Sequence, residues 1–255
     1  VAAASAAAGI FSLIGAVKLA SGVSSFRKER AVRGAYRGLG APSVRSGTYV
    51  RLTGVRAGVS GTLADGKATV EETAVSVEKR VHELIEECRA GRCAVREQLL
   101  ERSTDNKSFM VQAPWRASRY DVRVDPRGVD EGLLQRSRRL LSRHSRVDPE
   151  AEGRRKTNAI MAHTAEAAGL TRESGSYSRT RLGVVESRWG LTEDERLTLV
   201  GELHPAPKGR WYDYVIRAPA DRSKPFVCTT LSPEQLASHY RSAAAWEFAQ
   251  GVGFL

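Results

Sequence analysis

The sequence predicts a mainly β (α+β) protein, an antiparallel sandwich or barrel of short strands with a helical insertion, flanked by N- and C-terminal helices that enter a membrane. Three observations predict it. Apolar residues recur with period two through much of residues 48–229, most plainly where Tyr120, Val122 and Val124 alternate with Arg119, Asp121, Arg123 and Asp125, the spacing of a half-buried strand. Between residues 131 and 170 the period lengthens to that of a helix. Both ends of the chain turn apolar.

Length and composition bound the rest. The chain has 255 residues, of which 41% are hydrophobic, enough to bury a core and too many for a disordered segment. Forty Lys and Arg face 29 Asp and Glu, a formal charge of +11. Three cysteines, Cys88, Cys93 and Cys228, are too few for a disulfide framework or a zinc quartet, and the five histidines are scattered. No metal and no cofactor is expected.

Taken in order, residues 1–25 hold a run with one charge, Lys18, and glycines at 9, 15 and 22. As a helix, about 20 residues reach roughly 30 Å, the thickness of a bilayer core, and read as a transmembrane span. The alternatives are a cleaved signal sequence and a buried Ala-rich helix; a signal carries its basic cluster before the apolar core, whereas here the cluster follows. That cluster, Arg27, Lys28, Arg30, Arg33 and Arg37, is expected on the cytoplasmic membrane surface against anionic headgroups, with a solvated helix face as the bland alternative. It opens a basic linker, residues 26–46. The β domain, residues 47–231, is expected to face the cytoplasm.

Its strands are expected near 49–55, 69–77, 107–112, 119–125, 181–185, 196–201, 212–216 and 225–229. Turn chemistry separates them, at Ala64-Asp65-Gly66, at Asp125-Pro126-Arg127-Gly128 and at Pro205-Ala206-Pro207-Lys208-Gly209. Residues 80–101 read either as a helix, from Val81, Leu84 and Ile85, or as a strand pair around Cys88 and Cys93. The insertion, residues 131–170, reads as a basic amphipathic helix carrying Leu133, Leu134, Leu140 and Leu141 on one face, a charged connector at 148–156 and a second helix at 158–168. Residues 232–255 begin with Ser232 as N-cap, Pro233, Glu234 and Gln235, a capping box. Beyond Arg241 the helix gains Ala243, Ala244, Ala245, Trp246 and Phe248 and leads into a second, truncated span with Trp246 near the interface.

Catalytic signatures are weak. Cys88-x4-Cys93 lacks partners for a zinc site and is not Cys-x-x-Cys; no nucleophile elbow and no phosphate-binding Gly-rich loop occurs. Nucleic-acid binding through Trp115, Tyr120, Trp189, Trp211, Tyr212 and Tyr214 is the runner-up function, since stacking aromatics among cations bind single strands. Aromatics at strand spacing are more often core, which makes nucleic acid the less favoured partner.

The order of these parts resembles the GIDE domain, also called BAM, of the mitochondrial membrane E3 ubiquitin ligase family, and more closely its archaeal and bacterial relatives. The stretches that carry the resemblance are Tyr49-Val50-Arg51-Leu52-Thr53-Gly54-Val55, Gly61-Thr62-Leu63, Ser108-Phe109-Met110-Val111, Val122-Arg123-Val124-Asp125-Pro126-Arg127-Gly128-Val129, residues 181–189, residues 194–202, Lys224-Pro225-Phe226-Val227 and Leu231-Ser232. The resemblance implies a RING-type E3 ubiquitin transferase. No RING and no catalytic residue is encoded in this chain, so the expectation is a membrane-anchored module of the non-RING part of such ligases, with a binding or assembly role, an unidentified protein partner and the bilayer as its surface.

Overall fold

The computed structural model describes residues 2–37, 46–58, 74–89, 92–115, 118–167, 177–192 and 195–253. Four helices and eleven strands occur among them: α1 (Ala2–Gly34), β1 (Tyr36–Arg37), β2 (Thr48–Gly58), β3 (Ser76–Arg89), β4 (Arg92–Asn106), β5 (Phe109–Trp115), β6 (Ser118–Val124), α2 (Glu131–Ser137), β7 (Arg139–Val147), α3 (Pro149–Ala167), β8 (Tyr177–Leu191), β9 (Arg196–Pro205), β10 (Tyr214–Arg217), β11 (Val227–Thr229) and α4 (Pro233–Gly253). They group into two units. The first holds residues 1–75, 106–137 and 191–255, and the second holds 76–105 and 138–190. The second unit is thus assembled from two insertions into the connections of the first.

In the first unit, period-two alternation closes a sheet on itself. β2 pairs with β5, β5 with β6, β6 with β10, β10 with β9, and β9 returns to β2. Every pairing in that ring is antiparallel except β6 with β10, which is parallel. A five-stranded ring with this connectivity and a helix, α2, between its third and fourth strands is a Greek-key barrel of the OB type. Closure removes sheet edges, and it needs a strand that bends. β2 supplies one, because its register against β9 shifts between Thr53 and Val55 around Gly54, whose φ of +69° suits a glycine.

The alternating residues fill the barrel. Val50, Leu52 and Val55 of β2, Phe109 and Val111 of β5, Val122 and Val124 of β6, Leu197, Leu199 and Leu203 of β9 and Ile216 of β10 form one buried cluster. Each fully buried aliphatic side chain contributes about 1.5–3 kcal/mol relative to exposure. β9 is covered on both faces, since its Val200 joins a second cluster with Val32, Ala35, Leu133, Val227, Leu236 and Tyr240. That second cluster seats the end of α1 and the start of α4 on the barrel wall.

In the second unit the strand order is β4-β3-β8-β7. The described residues of 80–101 therefore form a strand pair, β3 and β4, and Cys88 and Cys93 are joined by a disulfide across it. The one long basic helix expected over residues 131–147 is replaced by the short helix α2 and the strand β7. The physical reason lies at Leu140 and Leu141: the β7–β8 register slips between Leu140 and Ser142, so a bulge sets two leucines in succession and imitates helical spacing. Leu141 occupies room left by Gly190, where a Cβ would stand 2.4 Å from its Cδ1. Residues 149–156 of the expected connector are helical as well, the first part of α3.

The flanks also differ from expectation. Residues 26–34, read as the start of a linker, continue α1. Residues 38–45, the turn at 64–66 and residues 69–73 of an expected strand lie outside the described residues. Among the described residues no helix is long and apolar enough to cross a membrane; the five cations expected at the surface begin inside α1 itself, and Arg241 and Glu247 interrupt α4.

Candidate binding cleft beside the helix pair

α1 and α4 pack along small residues. A Cβ on Gly22 would stand 3.2 Å from the Phe248 ring, and one on Gly251 would stand 2.9 Å from the Leu19 side chain and 3.1 Å from its backbone nitrogen. Glycine at these points lets the helices approach closely. Ser25 Oγ donates to Glu247 Oε2 at 3.1 Å. The seam ends at Glu29, only 5% exposed, whose Oε1 accepts from Arg33 Nε at 3.0 Å and from Arg241 Nη2 and Nε at 3.0 and 3.2 Å. Tyr240 donates to Asp130 Oδ2 at 3.1 Å and carries Lys28 Nζ 5.9 Å from its ring centre. The start of α4 is fixed as expected: Ser232 Oγ accepts from the Gln235 amide and Gln235 Oε1 from the Ser232 amide.

The outer faces of this pair are apolar. Leu13, Val17, Phe26, Trp246 and Val252 are each at least half exposed. The side chains of residues 2–12 are outside the described ones.

Where α1 ends and α4 begins, a cleft of about 370 Å³ opens, lined by Arg33, Arg37, Arg51, Arg241, Pro233, Glu234, Ala237 and Ser238. Four separate elements contribute its arginines. Arg51, on β2, is the enclosed one, 9% exposed, and its Nη1 donates to the Val32 carbonyl at 3.3 Å. Burial, then the neighbouring Arg37, lowers its pKa, with Glu234 acting in the opposite sense. Glu234, in the first turn of α4, accepts from Ser232 Oγ at 3.0 Å and feels both Arg51 and Arg37.

The residues expected at a membrane surface therefore divide. Arg33 and Arg37 line the cleft; Arg27 and Arg30 are exposed on α1; Lys28 is half-buried over Tyr240; Trp246 is exposed on α4. The structure adds Arg51 and Arg241 to the first pair. The aromatic set divides too. Tyr212 is buried, Tyr120 and Tyr214 pack edge to face, and Trp211 is 65% exposed. Trp189 belongs to the second unit under the Arg80 guanidinium, 5.4 Å away, and the Trp115 side chain is outside the described residues.

The second unit holds a different constellation. Glu78, fully buried, accepts from Arg80 and Arg138 at 2.6 Å and from Arg102 at 2.7 Å, and Arg138 Nε also donates to Ser76 Oγ at 2.8 Å. Burial alone would raise the Glu78 carboxyl; hydrogen bonds and charge from Arg80 and Arg102 outweigh it and hold the pKa below the ordinary glutamate value. Glu86, Cys88 and Cys93 come close enough to share a cation, yet the two sulfurs are spent on each other, and a structural zinc site takes four ligands. Cys228 is a free thiol buried in the barrel core.

No match was found among curated proteins or among solved structures. A family model does match: GIDE, described as E3 Ubiquitin ligase, over residues 140–255. The matched segment runs from β7 through β9, β10 and β11 to the end of α4, and so includes Arg241 and the α4 side of the cleft. Over residues 140–255 this chain is similar to the GIDE family.

Proposed function

We propose that this protein is a membrane-anchored GIDE-type module that binds or assembles partners at the bilayer and does not itself transfer ubiquitin. The observation that carries the reading is the helix pair: apolar side chains at Leu13, Val17, Phe26, Trp246 and Val252 face outward on two helices that pack through glycines, and a run of cations occupies the C-terminal part of α1. Exposed apolar patches of this kind mark protein or membrane contacts, and basic residues beside them gain from anionic headgroups. Both helices then enter the bilayer from the cytoplasmic face, with Arg27, Lys28, Arg30, Arg33, Arg37 and Arg241 at the surface.

Carbonate extraction of membranes from cells expressing the chain tests the anchor. Retention in the membrane pellet is expected, and recovery in the soluble fraction without detergent refutes it. The binding role has its own test. Mixed with ubiquitin-activating and conjugating enzymes, the chain is expected to give no conjugates above background; conjugates that vanish on Cys228→Ser would restore transferase chemistry.

A second reading, single-stranded nucleic acid on the barrel, is favoured by Trp211, exposed beside Lys208 and Arg210 in the connection between β9 and β10, a loop that OB-type barrels use for oligonucleotides. Binding that survives about 200 mM salt and is lost in Trp211→Ala would favour it, since purely electrostatic binding collapses over that range.

A further inference from the structure

We propose that the cleft formed by Arg33, Arg37, Arg51 and Arg241 is a binding site for a phosphate monoester. The first argument is charge. Four guanidinium groups line the cleft, and the carboxylates that face them are Glu29, shared by Arg33 and Arg241, and Glu234, within reach of Arg51 and Arg37. Among the described residues, four cations against two carboxylates leave two positive charges. A phosphate monoester carries about −1.5 to −2 at neutral pH, since its second pKa is near 6. A phosphodiester or a single carboxylate would leave the cleft half neutralised.

The second argument is donor geometry. A guanidinium presents five N–H donors in a planar fork that matches phosphate oxygens two at a time. Glu29 already engages Arg33 and Arg241, each of which remains more than half exposed at its side chain. Arg51 uses one donor on the Val32 carbonyl at a long 3.3 Å. Arg37 makes no ion pair with any described residue, and its side chain is exposed at the mouth of the cleft. Donors in several directions thus remain for a tetrahedral anion.

The third argument is enclosure. Arg51 is held out of water by the end of α1 and the start of α4. A guanidinium withdrawn from water is costly, and a bound anion offsets that cost. The first turn of α4 lines the same space, and the positive end of a helix dipole adds to the attraction.

A phosphate monoester reaches such a cleft as a lipid headgroup or as a free phosphate. The lipid source rests on the membrane reading above; the free source does not.

The experiment uses the full chain in detergent micelles, titrated with inorganic phosphate and with chloride at equal ionic strength, alongside Arg37→Gln, which removes a cation that makes no ion pair with any described residue. Flotation with vesicles of phosphatidic acid and of phosphatidylserine, matched in surface charge, forms the second arm. Saturable phosphate binding weakened about tenfold or more in Arg37→Gln, the effect of losing one charge-assisted pair, is the expected result. It should strengthen between pH 5.5 and pH 7.5 as the monoester gains its second charge. Preference for phosphatidic acid that disappears in Arg37→Gln assigns the lipid source, and phosphate binding without that preference assigns the free one. Phosphate no better than chloride together with no preference between vesicles overturns the proposal, as does an Arg37→Gln variant that binds unchanged in both arms. Failure to float with either vesicle while phosphate still binds overturns the membrane reading and leaves the cleft assignment standing.

Discussion

Among the described residues, the largest fully buried side chains of the barrel unit are leucines, valines and Ile216, while that of the four-stranded unit is a carboxylate, Glu78. The barrel unit excludes water with apolar surface, whose contribution changes little with pH. The four-stranded unit holds the buried pair of Glu78 and Arg138, both with wholly buried side chains, and adds Arg80 and Arg102 to the same carboxylate. Further ion pairs tie its strands and helix, among them Arg181 with Glu83, Lys79 with Glu186 and Arg155 with Glu86. The lesson is that the two units hold together through forces with different sensitivities, so chemical conditions should separate them.

The largest expected effect comes from Glu78→Gln, which keeps the shape and removes the charge. Arg138 is then left buried without its counter-ion, at a cost of about 3–5 kcal/mol. Amide hydrogen exchange should report it as lost protection in β3 and β8 with the barrel strands nearly unchanged. Equal loss in β9 would mean that the two units do not differ as described.

Leu199→Ala should do the converse. It empties a fully buried position in the barrel and costs about 2–5 kcal/mol, with β9 and β2 losing protection before β8. The comparison is broken if β8 responds first.

Acid should sharpen the contrast without any substitution. Glu78 ionises more readily in the folded chain than its ordinary value near 4.3, so the unfolded state takes up a proton first as pH falls. The stability from this group is fully present above that ordinary value and is lost as pH drops through the lower folded one. Followed by hydrogen exchange or by Trp189 fluorescence between pH 6 and pH 3, the four-stranded unit should loosen before the barrel. In Glu78→Gln this difference should shrink.

The smallest effect belongs to Ser232→Ala, which removes the cap of α4 and should cost about 1 kcal/mol. A shift in the thermal midpoint at neutral pH measures it, and no shift would show that packing of α4 on the barrel, not its cap, fixes where the helix starts.

How far the sequence foretold this structure depends on which force shaped each part. The barrel was legible at residues 118–124 and 196–205 because burial on one side writes a period of two into the chain, and the start of α4 was legible because capping uses a fixed spacing from Ser232 to Gln235. The path from Leu133 to Leu141 misled because a bulge against Gly190 counterfeits a helical stripe. Closure of the barrel was open between two architectures, since alternation says which face is buried and not which strand lies beside it. Buried charges were the least legible. Glu29, Arg51, Glu78 and Arg138 look like surface residues in a chain with 69 charged side chains, 40 basic and 29 acidic, and only tertiary packing selects the few that are enclosed. Of the cleft, Arg33 and Arg37 stood out as part of a cation run, whereas Arg51 carried no local signal beyond a strand pattern.

The bond between Cys88 and Cys93 gives the chain a record of its own whereabouts. Such bonds persist in oxidising compartments and are kept open by the thiol pool of the cytosol. A cytoplasmic β domain would therefore carry two thiols, one near the end of β3 and one near the start of β4, in living cells, with Cys93 exposed to reagent and Cys228 sheltered in the barrel. Cells quenched with an alkylating agent before lysis should yield protein blocked at Cys88 and Cys93. If both escape blocking until a reductant is added, the bond was already closed, the domain resides on the oxidising side, and the orientation drawn from the cations of α1 must be inverted.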